Sequence, residues 1–257
     1  LASRAVSALK QVSSLSAETD AVCKKEIEQV FGKTIDLYKK TADGSEAIIL
    51  TTLDWLDWQK DQNKPVFRHF AENRDIEKEA YLHDINVLID TYSGRDVCVE
   101  AYMAKVTYYR ELNKNVEALA VCDEAIMHYP KYARIGLLKG IRKEILQPML
   151  SMSASKVTYP GDSLRIDINH RNLEGFAVSF YKMTGLTRAQ LEEGADMSLS
   201  SLIKKKGKEV SKQHFQLLRS NDYQSADTVF RVPTPNIPGV YALQLIPDEK
   251  TGGTSEN

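Results

Sequence analysis

Apolar positions recur every three or four residues through residues 1–148 and every second residue after that. In the first stretch Ile27, Val30, Phe31, Ile35 and Tyr38 share one helical face. So do Ile49, Leu53 and Leu56, followed by Ile76, Ala80, Val87 and Leu88, with Tyr81 and Ile85 beside them. These stripes predict amphipathic helices that need partner helices. "TADGSEA" at Thr41–Ala47 and "YSGRD" at Tyr92–Asp96 read as turns between them. Pro65, Pro130 and Pro148 each suit a helix boundary. A last helix is expected over Tyr132–Leu146, with Ile135, Leu138, Ile141 and Ile145 on one side. Arg142 and Lys143 near its end complement its dipole.

Beyond Pro148 the grammar changes. Leu164, Ile166 and Ile168 alternate with Arg165, Asp167 and Asn169, and Phe176, Val178 and Phe180 with Ala177, Ser179 and Tyr181. Further runs hold Phe215 and Leu217, then Phe230 and Val232, then Tyr241, Leu243 and Leu245. Period 2 predicts strands with one buried and one wet face. Pro160-Gly161, "NLEG" at Asn172–Gly175 and "PNIPG" at Pro235–Gly239 supply turns. "LTRAQLEEG" at Leu186–Gly194 reads as a short inserted helix, with Thr187 and Gln190 as a capping box. "SLIKKKGKE" after it reads as an exposed loop or helix end. The expected organisation is therefore a helical domain over 1–148 and an antiparallel β-sandwich over 149–257, with a helical insertion near 186–206. The tail "DEKTGGTSEN" follows a strand-like run directly, so the sandwich is expected to lack its last strand and the chain to be cut from something longer.

One helical pair reads more sharply. "EAYMAKVTYYRELNKNVEALAVCDEAIMHYP", Glu100–Pro130, resembles a tetratricopeptide repeat. Tyr102 and Tyr109 take the aromatic positions, Ala118 the small residue at the helix contact, and Pro130 closes the unit. Lys105 and Val106 depart from the family's Leu-Gly. Independently of the resemblance, Ala118 and Ala125 share one face, and "LNKN" at Leu112–Asn115 forces an antiparallel return. A small stack of about three helical pairs is expected. In this hairpin Cys122 lies opposite Val106, leaving Cys98 ~12 Å away along the axis, so no disulfide joins them.

The chain has 257 residues, 42% of them hydrophobic and 27% charged, which suits two globular domains. The net charge of −1 gives no bulk attraction to nucleic acid or anionic membrane. No apolar run approaches the ~18 residues of a membrane span. Cys23, Cys98 and Cys122 form no CxxC pair and read as buried free thiols.

No GxSxG, HExxH or GxxxxGK[ST] motif is present. His69, His83, His128, His170 and His214 lack the spacing a metal wants. Neither catalytic residues nor a cofactor or metal is expected. An enzyme would need His170 or His214 to meet a carboxylate and a hydroxyl nucleophile. Trp55 and Trp58, in "LDWLDWQKDQ", share a helix face flanked by Asp54 and Asp57. They form either a stacking platform for sugar or peptide or an anchor against a neighbouring helix. Tyr102, Lys105 and Tyr109 either line a peptide groove or pack in the core. Lys204, Lys205 and Lys206, in "KKKGK", either dock an acidic partner, phosphate or lipid headgroups or belong to a solvated loop.

The second half carries a further resemblance. Its elements are Tyr159-Pro-Gly-Asp162, Arg171-Asn-Leu173, Gln213-His-Phe215, Asp222-Tyr223, Asp227-Thr228 and Pro238-Gly-Val-Tyr241. Together they resemble the first β-domain of alpha-2-macroglobulin-like proteins of Bacteroidetes-type bacteria. That resemblance covers about Met149–Asp248, and the helical half only in architecture. It implies a non-catalytic N-terminal scaffold and protein-interaction portion of an envelope protein of protease-inhibitor type. The parent would be exported to the periplasm or cell surface, lipid-anchored, and would engage proteases. The family's Cys-x-Glu-Gln thioester is missing: Cys23 is followed by "KKEIEQ". The alternative is a peptide- or glycan-binding envelope module using the helical groove or the Trp55/Trp58 face.

Overall fold

A computed structural model describes residues 2–13, 17–41, 44–62, 73–155, 157–186, 198–218 and 220–248. The chain is mixed α and β and divides into two compact units, Leu1–Lys143 and Glu144–Asn257.

The described elements of the first unit are helical. They are α1 (Ala2–Ser13), α2 (Ala17–Lys39), α3 (Ser45–Gln62), α4 (Asn73–Tyr92), a 3-10 turn at Asp96–Cys98, α5 (Val99–Glu111) and α6 (Asn115–His128). α7 (Ile135–Leu146) begins in this unit and ends in the second. From α1 to α6 each helix packs on the next. The expected stripes are buried on α2, at Ile27, Phe31 and Ile35, and on α3, at Ile49, Leu53 and Leu56. On α4 the expectation is corrected. Tyr81, Ile85, Leu88 and Ile89 are buried, whereas Ala80 and Val87 face solvent. The true stripe steps by four, three and one, which keeps one face; Ala80 and Val87 sit a residue off it.

Helices α5 and α6 form an antiparallel hairpin. Asn113 takes a positive φ of 57° at the turn, a conformation asparagine tolerates. Ala118, Cys122 and Ala125 have no exposed surface, so small side chains sit where the helix packs closest. Glu100 is a buried carboxylate on α5. It accepts hydrogen bonds from Tyr132 Oη and Arg134, both at 2.7 Å, which offset its desolvation. Tyr132 and Arg134 precede α7, which starts at Ile135 and not at the expected Tyr132. All three cysteines are buried free thiols.

All described strands follow Pro148. They are β1 (Met149–Ala154), β2 (Ser163–Arg171), β3 (Gly175–Met183), β4 (Gly207–Gln216), β5 (Ala226–Pro233) and β6 (Tyr241–Pro247). Two antiparallel sheets result, ordered β1-β2-β5 and β4-β3-β6. Leu164, Ile166 and Ile168 of β2, Phe176, Val178 and Phe180 of β3, and Val232 of β5 form one apolar cluster between them. Phe176 stacks on Phe215 of β4, and both rings contact Phe230 of β5. Burial of these side chains is the main force holding the sheets face to face.

Local chemistry fixes the connections. In the β1–β2 loop Gly161 has φ 76°, a backbone conformation that favours glycine, and a Cβ there would press on the Asn236 side chain. Its N–H donates to Pro235 O, and Thr234 N–H donates to Asp162 O. Between β2 and β3, Asn172 has φ 55°. Its amide donates to Ile145 O at 2.7 Å, while Arg171 donates to Glu144 O at 2.9 Å. Carbonyls at a helix C-terminus lack intrahelical donors, and these two side chains supply them. The last turn of α7 therefore belongs with the strands.

The helical insertion expected near 186–206 is described only in part. "LTRAQLEEG" falls largely on residues 187–197, outside the described residues. Of the two readings of "SLIKKKGKE", loop or helix end, the helix is found: α8 (Leu199–Lys206) is capped by Ser198 and buries Leu202 and Ile203 against Met183 and Ala242. From Gly207 the chain is β4. The tail on which the expectation of a lacking last strand rested, residues 249–257, lies outside the described residues.

Candidate functional site

Helix α3 carries two distinct faces. Leu53 and Leu56 point into the helical core, and Asp54, Asp57 and Asp61, at i, i+3 and i+7, form an acidic stripe. Trp55 and Trp58 lie between the two. Trp58 is 4% exposed and packs with Val6 of α1 and Ile27 and Phe31 of α2, its ring 6.4 Å from that of Phe31. Trp55 is half-buried against the same cluster. The tryptophans thus anchor α3 on its neighbours. Both indole N–H groups are enclosed without an acceptor.

Above this cluster, α1, α2 and α3 bound a cleft of about 450 Å³. Phe31, Tyr38 and Trp58 contribute aromatic walls, the three aspartates an acidic side, and Lys10 of α1 one ammonium. Burial, and then the neighbouring Asp57 carboxylate, push Asp54 above the usual carboxylate range; Lys10 pulls the other way. Asp57 is held on the far side by Tyr81 Oη at 2.6 Å and by Lys60 at 3.8 Å. Lys60 also lies 5.1 and 5.5 Å from the ring centroids of Tyr81 and Tyr108 and bonds Glu111 at 3.3 Å. Three carboxylates against one ammonium, over aromatic walls, make a recess suited to a cationic group. The indole N–H of Trp58 is an unused donor in its wall.

The remaining candidates sit elsewhere. Tyr102 is buried and donates to Glu124 at 2.8 Å, with its ring against Tyr129. Lys105 and Tyr109, further along α5, are half-buried. Lys204, Lys205 and Lys206 form the last turn of α8 in the second unit, where Lys206 Nζ donates to Gly185 O. Among the described residues no group of three His, Cys, Asp or Glu is placed to hold a metal. His214 pairs with Asp248 at 2.8 Å, and His170, with its pKa lowered by burial, contacts Thr228 Oγ1 at 3.1 Å. Among the described residues neither histidine has both a carboxylate and a hydroxyl as hydrogen-bond partners. No described helix is long and apolar enough to cross a membrane.

Sequence reasoning reached Trp55, Trp58, Asp54 and Asp57 but not Asp61, Lys10, Phe31 or Tyr38. The spacing of the three aspartates was a readable signal. The α1 and α2 walls arise from packing and leave no local trace in the sequence. No protein-family model and no curated protein matches the chain.

Proposed function

We propose that this chain is a non-catalytic, protein-binding portion of a macroglobulin-like envelope protein. In this reading the first unit is a tetratricopeptide-like stack and the second a β-sandwich. The α5–α6 hairpin closed on Ala118 and Ala125 supports the former, and two three-stranded sheets around one cluster support the latter. The parent protein would work in the periplasm or at the cell surface, tethered there, and would engage proteases or other proteins.

The observation that carries the binding role is the α1–α3 cleft. Its acidic stripe and aromatic walls suit a lysine or arginine side chain presented by a protein partner. A glycan is the weaker candidate, because stacking needs an open indole face and Trp58 is buried.

Calorimetric titration with matched lysine-rich and glutamate-rich peptides tests this reading. The basic peptide is expected to bind, more weakly as salt rises, and Asp61→Asn is expected to weaken it about five-fold. Equal affinity for both peptides, or none for either, would remove the cleft as the binding surface. Parentage is tested separately by the reading frame around this segment: macroglobulin-type domains downstream are expected.

A further inference from the structure

Among the described residues the two sheets have four edges, and these are unequal. β4 carries Lys208, Glu209, Lys212 and His214, and β5 carries Asp227 and Arg231. Charges of this kind discourage another strand from pairing. β1 and β6, the other two edges, contain no charged residue at all. They are neighbours in the fold, so the two uncharged edges lie together, β6 ending in Pro247.

The same side is incompletely covered. Leu150 and Met152 of β1 and Tyr241, Leu243 and Leu245 of β6 pack on the core but stay partly exposed. A groove of about 400 Å³ opens beside them, reaching Leu164 and Phe180 of the core. Val157, Ile237 and Val240 around it are 84%, 61% and 47% exposed.

We propose that β6 is a self-association edge, pairing antiparallel with β6 of a second copy of this chain. The sequence of β6 is self-complementary about its centre. A twofold at Gln244 sets Leu243 opposite Leu245 of the second copy, on the core face, and Ala242 opposite Ile246 on the outer face. Gln244 then meets its own counterpart, and the two amides can exchange hydrogen bonds. No like charges are brought together. The two β4-β3-β6 sheets become one continuous sheet of six strands. An isologous contact of this kind closes on itself and stops at a dimer.

Sedimentation velocity over a concentration series tests the proposal. The chain is expected to exchange between monomer and dimer. Gln244→Lys, which puts two ammonium groups at the twofold, should weaken the dimer about five-fold. Val210→Lys, an equivalent charge on the β4 edge, should leave it unchanged. Amide exchange of the wild-type chain gives a check that needs no variant: β6 amides should gain protection with concentration and β4 amides should not. A chain that stays monomeric up to about 1 mM overturns the proposal. So does a dimer that Val210→Lys breaks and Gln244→Lys spares.

Discussion

Tyr81 of α4 donates a 2.6 Å hydrogen bond to Asp57, one of the three carboxylates of the α1–α3 cleft. The contact ties the cleft to the next helix: the phenol fixes the carboxylate, and Lys60 lies close to both. Burial is the first cause that drives the Tyr81 pKa far up, and the bond to Asp57 adds to it, so the phenol remains a donor at any moderate pH. Tyr81→Phe keeps the ring packed on Tyr108 and removes only the hydroxyl. The expected cost is about 1.5 kcal/mol, the scale of a bond to a charged acceptor, read as a lower urea midpoint with unchanged slope. A midpoint equal to wild type would mean that water replaces the phenol without loss.

Asp54 stands in the opposite situation. Its environment disfavours the charge, since burial and Asp57 outweigh Lys10. A carboxylate with a raised folded pKa stabilises the fold below its unfolded value, and that contribution is lost as pH climbs through the folded value. At neutral pH Asp54 is therefore slightly destabilising. Asp54→Asn should raise stability by no more than about 0.5 kcal/mol, because the side chain is partly exposed and screened. The same change should weaken binding of the basic peptide. Gain in one measurement and loss in the other is the mark of a charge kept for binding. Loss in both would assign Asp54 to the scaffold.

The sequence was legible wherever one period dominated. The α2 and α3 stripes, the α5–α6 hairpin and β2, β3, β5 and β6 all follow from the spacing of large apolar residues. α4 was misread by one position because Ala80 and Val87 are apolar yet exposed, and periodicity cannot weigh one apolar residue against its neighbour. β1 went unseen. Its core-facing residues Leu150, Met152 and Ala154 alternate with serines, but the run is short and weakly hydrophobic. α8 was left between an exposed loop and a helix end because its lysines hide a two-residue apolar contact, Leu202 and Ile203. The cleft was half legible. Its acidic stripe lies on one helix, and the rest of its wall comes from two others.

Gly175, the first residue of β3, is fixed by close approach. A Cβ there would lie 2.4 Å from Asp248 Oδ2, 2.8 Å from Phe215 O and 3.1 Å from His214 Cε1. The carboxylate and imidazole can move, but Phe215 O is backbone of the neighbouring strand and β3 pairs there with β4. Asp248 N–H also donates to Gly175 O, so both flanking strands are tied to this residue. Gly175→Ala should cost about 1–3 kcal/mol, the range of overpacking in a closed site. Gly136→Ala, on α7 with open space at its Cβ, should instead be neutral or stabilising. Thermal melts of the two variants decide the matter: equal midpoints would show that the β3–β4 pair yields freely.

Alkaline pH should unfold the helical unit for a reason that can be isolated. Cys122 has no exposed surface, and burial, with Asp123 adding, raises its thiol from 9.0 to about 11 against the opposing pull of Arg110 and Arg142. Tyr129 and Tyr132 are each raised from 10.0 to about 12, first by burial and then by their hydrogen-bonded neighbours. In every case the unfolded chain gives up a proton that the folded chain still holds. The thiol's contribution is thus complete below pH 9 and lost as pH rises through about 11. The phenols follow between pH 10 and about 12. The buried Cys122 thiol costs up to about 1.4 kcal/mol per pH unit inside its window, and the half-buried Tyr132 phenol less. Urea midpoints measured from pH 8 upward should therefore fall, first with the thiol and then more steeply with the phenols. Cys122→Ala removes one of two raised thiols, since burial also pushes Cys98 up, so its stability should fall less than that of wild type as pH climbs past 9, with the phenol window kept. Parallel wild-type and variant curves would show that the buried thiol is not the group being titrated.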